Sequence, residues 1–198
     1  MDNKPAVFCI GSIHLDIFVD SESSDSMDSR GEFTAGVGGT AFNIATALLT
    51  MGCDVYFASV LKKGSLFTRL ILYTLEKIRM RKDCLEFIDY IPDAGFFAMR
   101  NNGNLTKAVN STPLENIYLI PSYYRQPLSQ SDFISIDFNN SIPTISDFLT
   151  SAKCSVYLHM VSEEKSLKIF PLLKEKKFLV EDTITGIFLN RHELKYLL

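Results

Sequence analysis

Apolar residues along this chain recur alternately with the spacing of strands and the spacing of helices. Short apolar runs at residues 7–10, 55–61, 133–138, 155–160 and 178–180 predict buried strands. Apolar residues spaced three and four apart predict helices at 41–51, 66–80, 144–151, 163–174 and from 191 onward. Strands and helices alternate at the start and again from residue 133. This alternation predicts a layered α/β fold around a mostly parallel sheet.

Two regions depart from the alternation of strands and helices, and their patterns predict hairpins. Residues 13–19 alternate apolar and polar side chains, and strands are predicted at 85–91, 96–100 and 105–109. NNGN at 101–104 is typical of a hairpin turn, because Asn and Gly tolerate positive φ. We therefore expect a small antiparallel sheet, built from strands within 13–37 and 88–109, beside the main sheet. No repeat or linker divides the chain, which predicts one domain over residues 1–198.

The amino-acid composition argues against several classes of binding partner. The 198 residues are 46% hydrophobic with a formal net charge of −3, which favours one well-filled core and no nucleic-acid or membrane partner. No apolar stretch reaches the roughly 18 residues that a membrane span needs, and the N-terminus lacks a signal-peptide pattern. The four cysteines form no C-x-x-C pair and most lie in apolar stretches, which indicates a reducing, cytoplasmic location without structural disulfides or zinc. The three histidines are scattered, so no metal cluster is predicted.

Residues 36–43 read GVGGTAFN and open a predicted helix. Gly36, Gly38 and Ala41 match the dinucleotide fingerprint G-x-G-x-x-G/A. However, the first buried strand ends much earlier, and the strand at 55–61 is followed by Lys62 and Lys63 instead of an acidic residue. A P-loop is excluded because no G-K-[ST] follows the glycines. A purely structural alternative is that the glycines permit a tight turn against a neighbouring strand.

Two spaced motifs narrow these alternatives. Residues 11–16 read GSIHLD and residues 38–43 read GGTAFN. They resemble the G-[SG]-x-x-x-D and G-G-x-x-x-N elements of the PfkB/ribokinase family of sugar and nucleoside kinases. D-x-N at 137–139, V-S-x-x-K at 161–165 and N-x-x-E at 190–193 follow in order and are most similar to the pseudouridine-kinase branch. The resemblance implies a ribokinase-like α/β/α fold with a lid sheet.

The resemblance also implies substrate-binding roles. Asp16 would accept hydrogen bonds from substrate hydroxyls, and Asn43 would offer both a donor and an acceptor. Gly38 and Gly39 would let the backbone approach the substrate ring. The structural alternatives are that Asp16 lies on a solvated strand face and that Asn43 is a local cap.

A second set of roles concerns the cofactors. Asn190 and Glu193 match N-x-x-E, which in the family organises Mg²⁺ and phosphate through water, and the family uses ATP. The same two residues could instead form a capping-box pair at the start of the last helix.

The remaining motifs of the PfkB/ribokinase family do not occur in these 198 residues. The family's catalytic base is the Asp of a G-A-G-D motif, and after Gly103 the only glycine is Gly186. We therefore expect a C-terminally truncated domain without catalytic residues, inactive as this chain alone. His14, Lys63 and Leu189 stand where the family commonly has Asn, Asp and Pro.

Three functions remain open. The first is the substrate-recognition portion of a sugar or nucleoside kinase, partnered by a complementary C-terminal half or paired as a homodimer through its lid strands. The second is a pseudokinase-like binding or regulatory protein that uses the same pocket without chemistry. The third is a dinucleotide-binding protein.

Overall fold

The computed structural model describes residues 4–21, 30–175 and 183–198. In chain order the strands are β1 Ala6–Ile10, β2 His14–Ser21, β3 Gly31–Gly38, β4 Asp54–Lys62, β5 Leu85–Ile88, β6 Gly95–Asn101, β7 Asn104–Ser111, β8 Phe133–Asp137, β9 Ser155–His159 and β10 Ile184–Phe188.

Helices occupy most of the connections. They are α1 Thr40–Thr50, α2 Leu66–Lys77, α3 Arg125–Gln130, α4 Ile142–Ser151, α5 Glu163–Ser166, α6 Ile169–Glu175 and α7 Arg191–Leu197, with 3₁₀ turns at Pro113–Asn116 and Pro121–Tyr124. Within the described ranges, no helix is both long and apolar enough to cross a membrane.

The main sheet is parallel and has the order β10-β9-β8-β1-β4-β5. Successive side chains of β1 point to opposite faces, so Val7 and Cys9 join one core while Phe8 and Ile10 join another. Helices α1 and α2 cover the first core, and α4 and α6 contribute to the second. This arrangement confirms the predicted three-layer α/β/α architecture.

The small sheet has the order β3-β2-β6-β7, and we call it the lid sheet. The prediction that it is antiparallel is wrong in one respect. β2 pairs with β3 and β6 with β7 as antiparallel hairpins, but β2 and β6 are parallel to each other. Both strands leave the main sheet in the same direction, one after β1 and the other after β5, so the sheet that they form is mixed.

The C-terminal part of the chain is predicted less well than its start. The strand predicted at 178–180 lies outside the described residues, whereas β10 at 184–188 is not predicted. The helix predicted at 163–174 is two helices, because a turn at Leu167 and Lys168 separates α5 from α6. Pro171 lies in the first turn of α6, where its missing N–H prevents the hydrogen bond that would continue α5 through this turn.

Helix α4 begins before the residue at which the sequence predicts it. Its N-cap is Ser141, whose Oγ accepts from the Thr144 N–H. Thr144 is buried, and its Oγ1 accepts from the Leu119 N–H at 3.1 Å. In α2, Leu70 is 43% exposed and Ile71 is fully buried.

The second core predicts a large stability effect at Phe148. Its ring centroid lies 5.9 Å from Phe8 and 5.8 Å from Tyr124, and its side chain is fully buried. We expect Phe148→Ala to lower the free energy of unfolding by about 3–5 kcal/mol, because it leaves a cavity. Urea denaturation measures this loss, and Tyr123→Ala, at a side chain 72% exposed, is the control. Equal effects of the two substitutions would contradict this account of the core.

Candidate functional site

The order of the strands in the main sheet changes direction at β1. The chain adds β4 and β5 on one side of β1, and later adds β8, β9 and β10 on the other. A crevice forms at the carboxyl ends of two strands whose connections leave in opposite directions, and ligands of open α/β sheets bind there. In this chain that position lies between Ile10 and Asp137.

A buried carboxylate, that of Asp137, occupies this switch point. It is 0% exposed, and its Oδ2 accepts hydrogen bonds from the Ser12 N–H at 2.9 Å, the Ser12 hydroxyl at 3.0 Å and the Ala41 N–H at 3.1 Å. Its Oδ1 accepts from the Asn139 N–H at 3.0 Å. A buried charge requires such donors. The side chain therefore fastens the loop after β1 to the first turn of α1.

The glycines of the opening motif allow the protein to approach itself. A Cβ at Gly38 would lie 2.1 Å from Oδ2 of Asp16, and a Cβ at Gly39 would lie 2.4 Å from the Ser12 carbonyl oxygen. Gly39 also has φ of 117°, which side chains rarely adopt. Both glycines therefore permit a close approach within the protein, Gly38 to a side chain of the neighbouring strand β2 and Gly39 to the loop before it. The close approach of backbone to substrate at these residues stays a prediction.

A cavity of about 350 Å³, which we call the central cavity, opens beside this loop. It is lined by His14, Asp16, Gly39, Thr40, Asn43, Phe96, Asn110, Asn139, Val161, Ser162 and Lys165. Three of the four predicted substrate residues thus meet in one cavity. The fourth, Gly38, is not part of the lining and lies against the Asp16 carboxylate.

Asp16 is held by a neighbour that the sequence did not assign. Nδ1 of His14 lies 2.7 Å from Oδ1 of Asp16, and the two side chains are 14% and 23% exposed. The ring of Phe96 lies beside His14, with centroids 6.4 Å apart. Asp16 is therefore a positioned carboxylate at the cavity wall, and the solvated-face alternative does not describe it.

Lys165 supplies the cation of the central cavity. Its Nζ donates to Oδ1 of Asn139 at 2.6 Å and forms an ion pair with Glu115. Nearby, Nζ of Lys168 donates to the carbonyl oxygens of Phe138 and Asn140 at 2.8 and 3.0 Å. Burial lowers the pKa of Lys168. The V-S-x-x-K stretch was the sequence signal for Lys165, although no role was predicted for it.

Asn190 and Glu193 form a capping box at the start of α7. Oδ1 of Asn190 accepts from the His192 and Glu193 N–H groups, and Oε2 of Glu193 accepts from the Asn190 N–H at 2.8 Å. Glu193 is 4% exposed. The part of the chain described here holds no cluster of three or more acidic, His or Cys side chains suited to a metal. The pair therefore does not itself fit a metal ion, and its role toward Mg²⁺ through water stays a prediction.

The glycines that match the dinucleotide fingerprint do not lie in the structural context that a dinucleotide site needs. Gly36 and Gly38 lie on β3, which pairs antiparallel with β2 in the lid sheet. The fingerprint instead needs a turn directly after a strand of the parallel sheet. The structure thus gives the dinucleotide alternative no support.

Several solved structures have a similar fold. A carbohydrate kinase from Agrobacterium tumefaciens superposes with a TM-score of 0.76 and 17% identity, over 98% of this chain and 63% of its own. For Arabidopsis thaliana ribokinase complexed with ribose and ATP, the TM-score is 0.75 at 14% identity, over 98% of this chain and 62% of the ribokinase. The chain has a ribokinase-like fold.

This ribokinase-like chain spans less than two thirds of the length of those kinases. Cryptococcus neoformans ribokinase, solved in complex with ADP, gives a TM-score of 0.72 at 14% identity, over 98% of this chain and 59% of the ribokinase. No protein-family model and no curated protein sequence matches the chain. At these identities the similarity establishes the ribokinase-like fold, and the function has to be argued from the site.

The hydrogen bonds of Asp137 predict a stability effect larger than that of an ordinary polar residue. Asp137→Ala would leave the Ser12, Ala41 and Asn139 donors unpaired, each costing about 1–3 kcal/mol, so we expect a loss of at least about 3 kcal/mol in the free energy of unfolding. Ser131→Ala is the control, because the buried Ser131 hydroxyl has no hydrogen-bond partner among the residues that the structure describes. A loss below about 1 kcal/mol for Asp137→Ala in urea denaturation would contradict this assignment.

Proposed function

We propose that these residues form the substrate-recognition portion of a PfkB/ribokinase-family kinase that takes a sugar or the sugar ring of a nucleoside. The observation that carries the proposal is the central cavity, which joins Asp16 and Asn43, far apart in sequence, beside Gly39 at the switch point. The ribokinase-like fold, shared with carbohydrate kinases, supports it.

The chemistry of the cavity suits a neutral ring that carries several hydroxyl groups. The Asp16 carboxylate accepts hydrogen bonds, and the amides of Asn43 and Asn139 each offer a donor and an acceptor. Phe96 adds an apolar surface on the lid side. Asp16 and Lys165 give the lining one acidic and one basic side chain, which favours a ligand without net charge.

The closer similarity to the pseudouridine-kinase branch is part of this proposal. Its D-x-N and V-S-x-x-K elements meet in the structure, because Lys165 donates to Asn139 and Asn139 follows Asp137. Two elements that are distant in sequence thus supply one wall of the cavity.

The same proposal includes phosphoryl transfer from ATP with Mg²⁺ in the kinase to which this portion corresponds. Such transfer needs a base that takes the proton of the acceptor hydroxyl. In the cavity region Asp16 is engaged by His14, Glu115 by Lys165, and Asp137 by backbone donors. We therefore propose that the 198 residues bind the substrate without phosphorylating it. The non-catalytic, pseudokinase-like protein is the second candidate, since the same cavity would serve it.

The lid sheet carries an exposed apolar surface on the face opposite the central cavity. Phe97 pairs with Val109 and Ile17, and Met99 pairs with Val19, so these side chains share one face of the sheet. Phe97, Met99 and Val109 are 39%, 41% and 57% exposed. We propose that a second copy of the chain covers this face, because contiguous apolar surfaces of this kind mark protein contacts.

Substitution of Asp16 tests the binding site. We expect titration calorimetry to detect binding of ribose, fructose or pseudouridine to the unaltered chain and at least about tenfold weaker binding to Asp16→Ala, since a hydrogen bond to a charged group contributes about 1.5–3 kcal/mol. Asp89→Ala is the matched control, at a carboxylate 75% exposed. Unchanged affinity in Asp16→Ala, or rapid ATP-dependent phosphorylation by the 198-residue chain, would contradict the corresponding part of the proposal.

Substitution of Phe97 tests the dimer. We expect the chain to sediment as a dimer and Phe97→Asp to sediment as a monomer, because the new carboxylate would be buried without a partner at the interface. Tyr73→Asp, at a side chain 58% exposed on α2, should leave the dimer intact. A monomeric unaltered chain at micromolar concentration would refute this part of the proposal.

A further inference from the structure

The Asp16 carboxylate lies on one face of the lid sheet among residues of three strands. His14 and Asp16 are two positions apart on β2, so their side chains point to the same face. In the register of β2 with β3, Gly38 lies opposite His14 and Gly36 lies opposite Asp16. On the other side of β2, the partner of Asp16 is Phe96 of β6. The carboxylate thus has protein neighbours along its own strand and on both adjoining strands.

The two oxygens of this carboxylate have different surroundings. Oδ1 of Asp16 is buried, accepts no other hydrogen bond among the described residues, and lies 2.7 Å from Nδ1 of His14. The Asp16 side chain as a whole is 23% exposed. Oδ2 is therefore the oxygen that a ligand in the central cavity can reach, while Oδ1 is taken by the imidazole.

Gly38 makes room for the outer oxygen. A Cβ at Gly38 would lie 2.1 Å from Oδ2 of Asp16 and 2.8 Å from its Cγ, so the carboxylate lies directly against the backbone of β3. A larger residue at this position would have to displace the carboxylate. Gly38 does not line the central cavity. We therefore expect a substitution of Gly38 to affect a ligand through Asp16.

Fixing the carboxylate favours binding, because a side chain that rotates freely has to be ordered when a ligand binds, and this ordering weakens the affinity. His14 and Gly38 restrict the Asp16 side chain from two directions. The imidazole is itself held in place. It is 14% exposed, and its ring centroid lies 6.4 Å from that of Phe96. The lid sheet thus orders the Asp16 carboxylate in the absence of a ligand.

We propose that His14 and Gly38 are positioning residues, which fix the Asp16 carboxylate so that its Oδ2 is directed to the ligand. The inference rests on the proposed function and deepens it, because it assigns how the central cavity orients its acidic side chain. It gives Gly38 a place behind the carboxylate instead of against a sugar ring. His14 lines the cavity, but it acts on the ligand through Asp16.

A double-mutant cycle tests the role of His14. Ribose, fructose and pseudouridine are each titrated calorimetrically into the unaltered chain, His14→Ala, Asp16→Ala and the double variant. Residues in direct contact couple strongly, so we expect His14→Ala to weaken binding at least about fivefold when Asp16 is present and less than about twofold when Asp16 is already Ala. His192→Ala, at an exposed histidine of α7, is the control and should leave the affinity unchanged.

A conservative variant separates positioning from a general structural role. The amide nitrogen of Asn is the same number of bonds from the backbone as Nδ1 of His, and it can donate to Oδ1 of Asp16. His14→Asn should therefore bind the same ligand within about threefold of the unaltered chain.

Gly38→Ala tests the second contact and has a matched control on the same strand. The added methyl group would displace Oδ2 of Asp16, so we expect at least about fivefold weaker binding, since small displacements of positioned groups have large effects. Gly36→Ala should leave the affinity unchanged, because a Cβ at Gly36 has nothing within 4 Å. Thermal melting shows whether each variant is folded. If Gly38→Ala does not fold, the His14 cycle decides.

The outcomes separate this inference from the proposed function. If His14→Ala weakens binding by the same factor with and without Asp16, His14 contacts the ligand directly and the inference is overturned. It is also overturned if His14→Ala leaves the affinity unchanged while Asp16→Ala lowers it, or if His14→Asn restores no affinity. The proposed sugar site would survive these results. If Asp16→Ala has no effect, or if none of the three ligands binds the unaltered chain, the proposed function fails and the inference fails with it.

Discussion

The burial of one carboxylate at the switch point is the constraint on which the rest of the site depends. Asp137 is 0% exposed, and in the described residues no lysine, arginine or histidine forms an ion pair with it. Its charge is instead met by N–H and hydroxyl donors from three separate segments. Because those donors have to converge on the carboxylate, the loop after β1, the start of α1 and the end of β8 are fixed relative to one another.

The convergence of these donors explains why a glycine-rich stretch begins α1. Gly39 is the N-cap of α1 and has no side chain to cap the helix, but the Ala41 N–H is satisfied by Asp137 and the Phe42 N–H by the Ser12 carbonyl oxygen. A distant carboxylate thus replaces the local cap that Ser, Thr or Asp would supply. Gly39 is needed because the Ser12 carbonyl oxygen approaches too closely for a Cβ, and Gly38 is needed because the Asp16 carboxylate does. They shape the cavity mainly through the groups that they bring together.

Much of the architecture could be predicted from local patterns. The apolar runs that became β1, β4, β8 and β9 are short, continuous and bounded by polar residues, so periodicity identified them as strands of a parallel sheet. β10 was missed because ITGIF is half exposed and contains a glycine, which weakens any strand pattern. The parallel pairing of β2 with β6 joins residues about 80 positions apart, and no local pattern encodes such a pairing.

The sequence could indicate site residues that belong to a recognisable motif, but not those whose role depends on a contact in the folded chain. Asp16 and Asn43 were singled out by the resemblance of two motifs to a kinase family, and both line the central cavity. The contacts of His14, Asn139 and Lys165 depend on distances across the fold. Lys165 shows how much this matters. An ammonium group has three donors, and Asn139 and Glu115 take two of them, so one remains for a ligand. With its charge balanced by Glu115, Lys165 can orient a neutral hydroxyl or carbonyl oxygen, but it attracts an anion only weakly. The charge balance at this wall is therefore the physical reason why we propose a ligand without net charge.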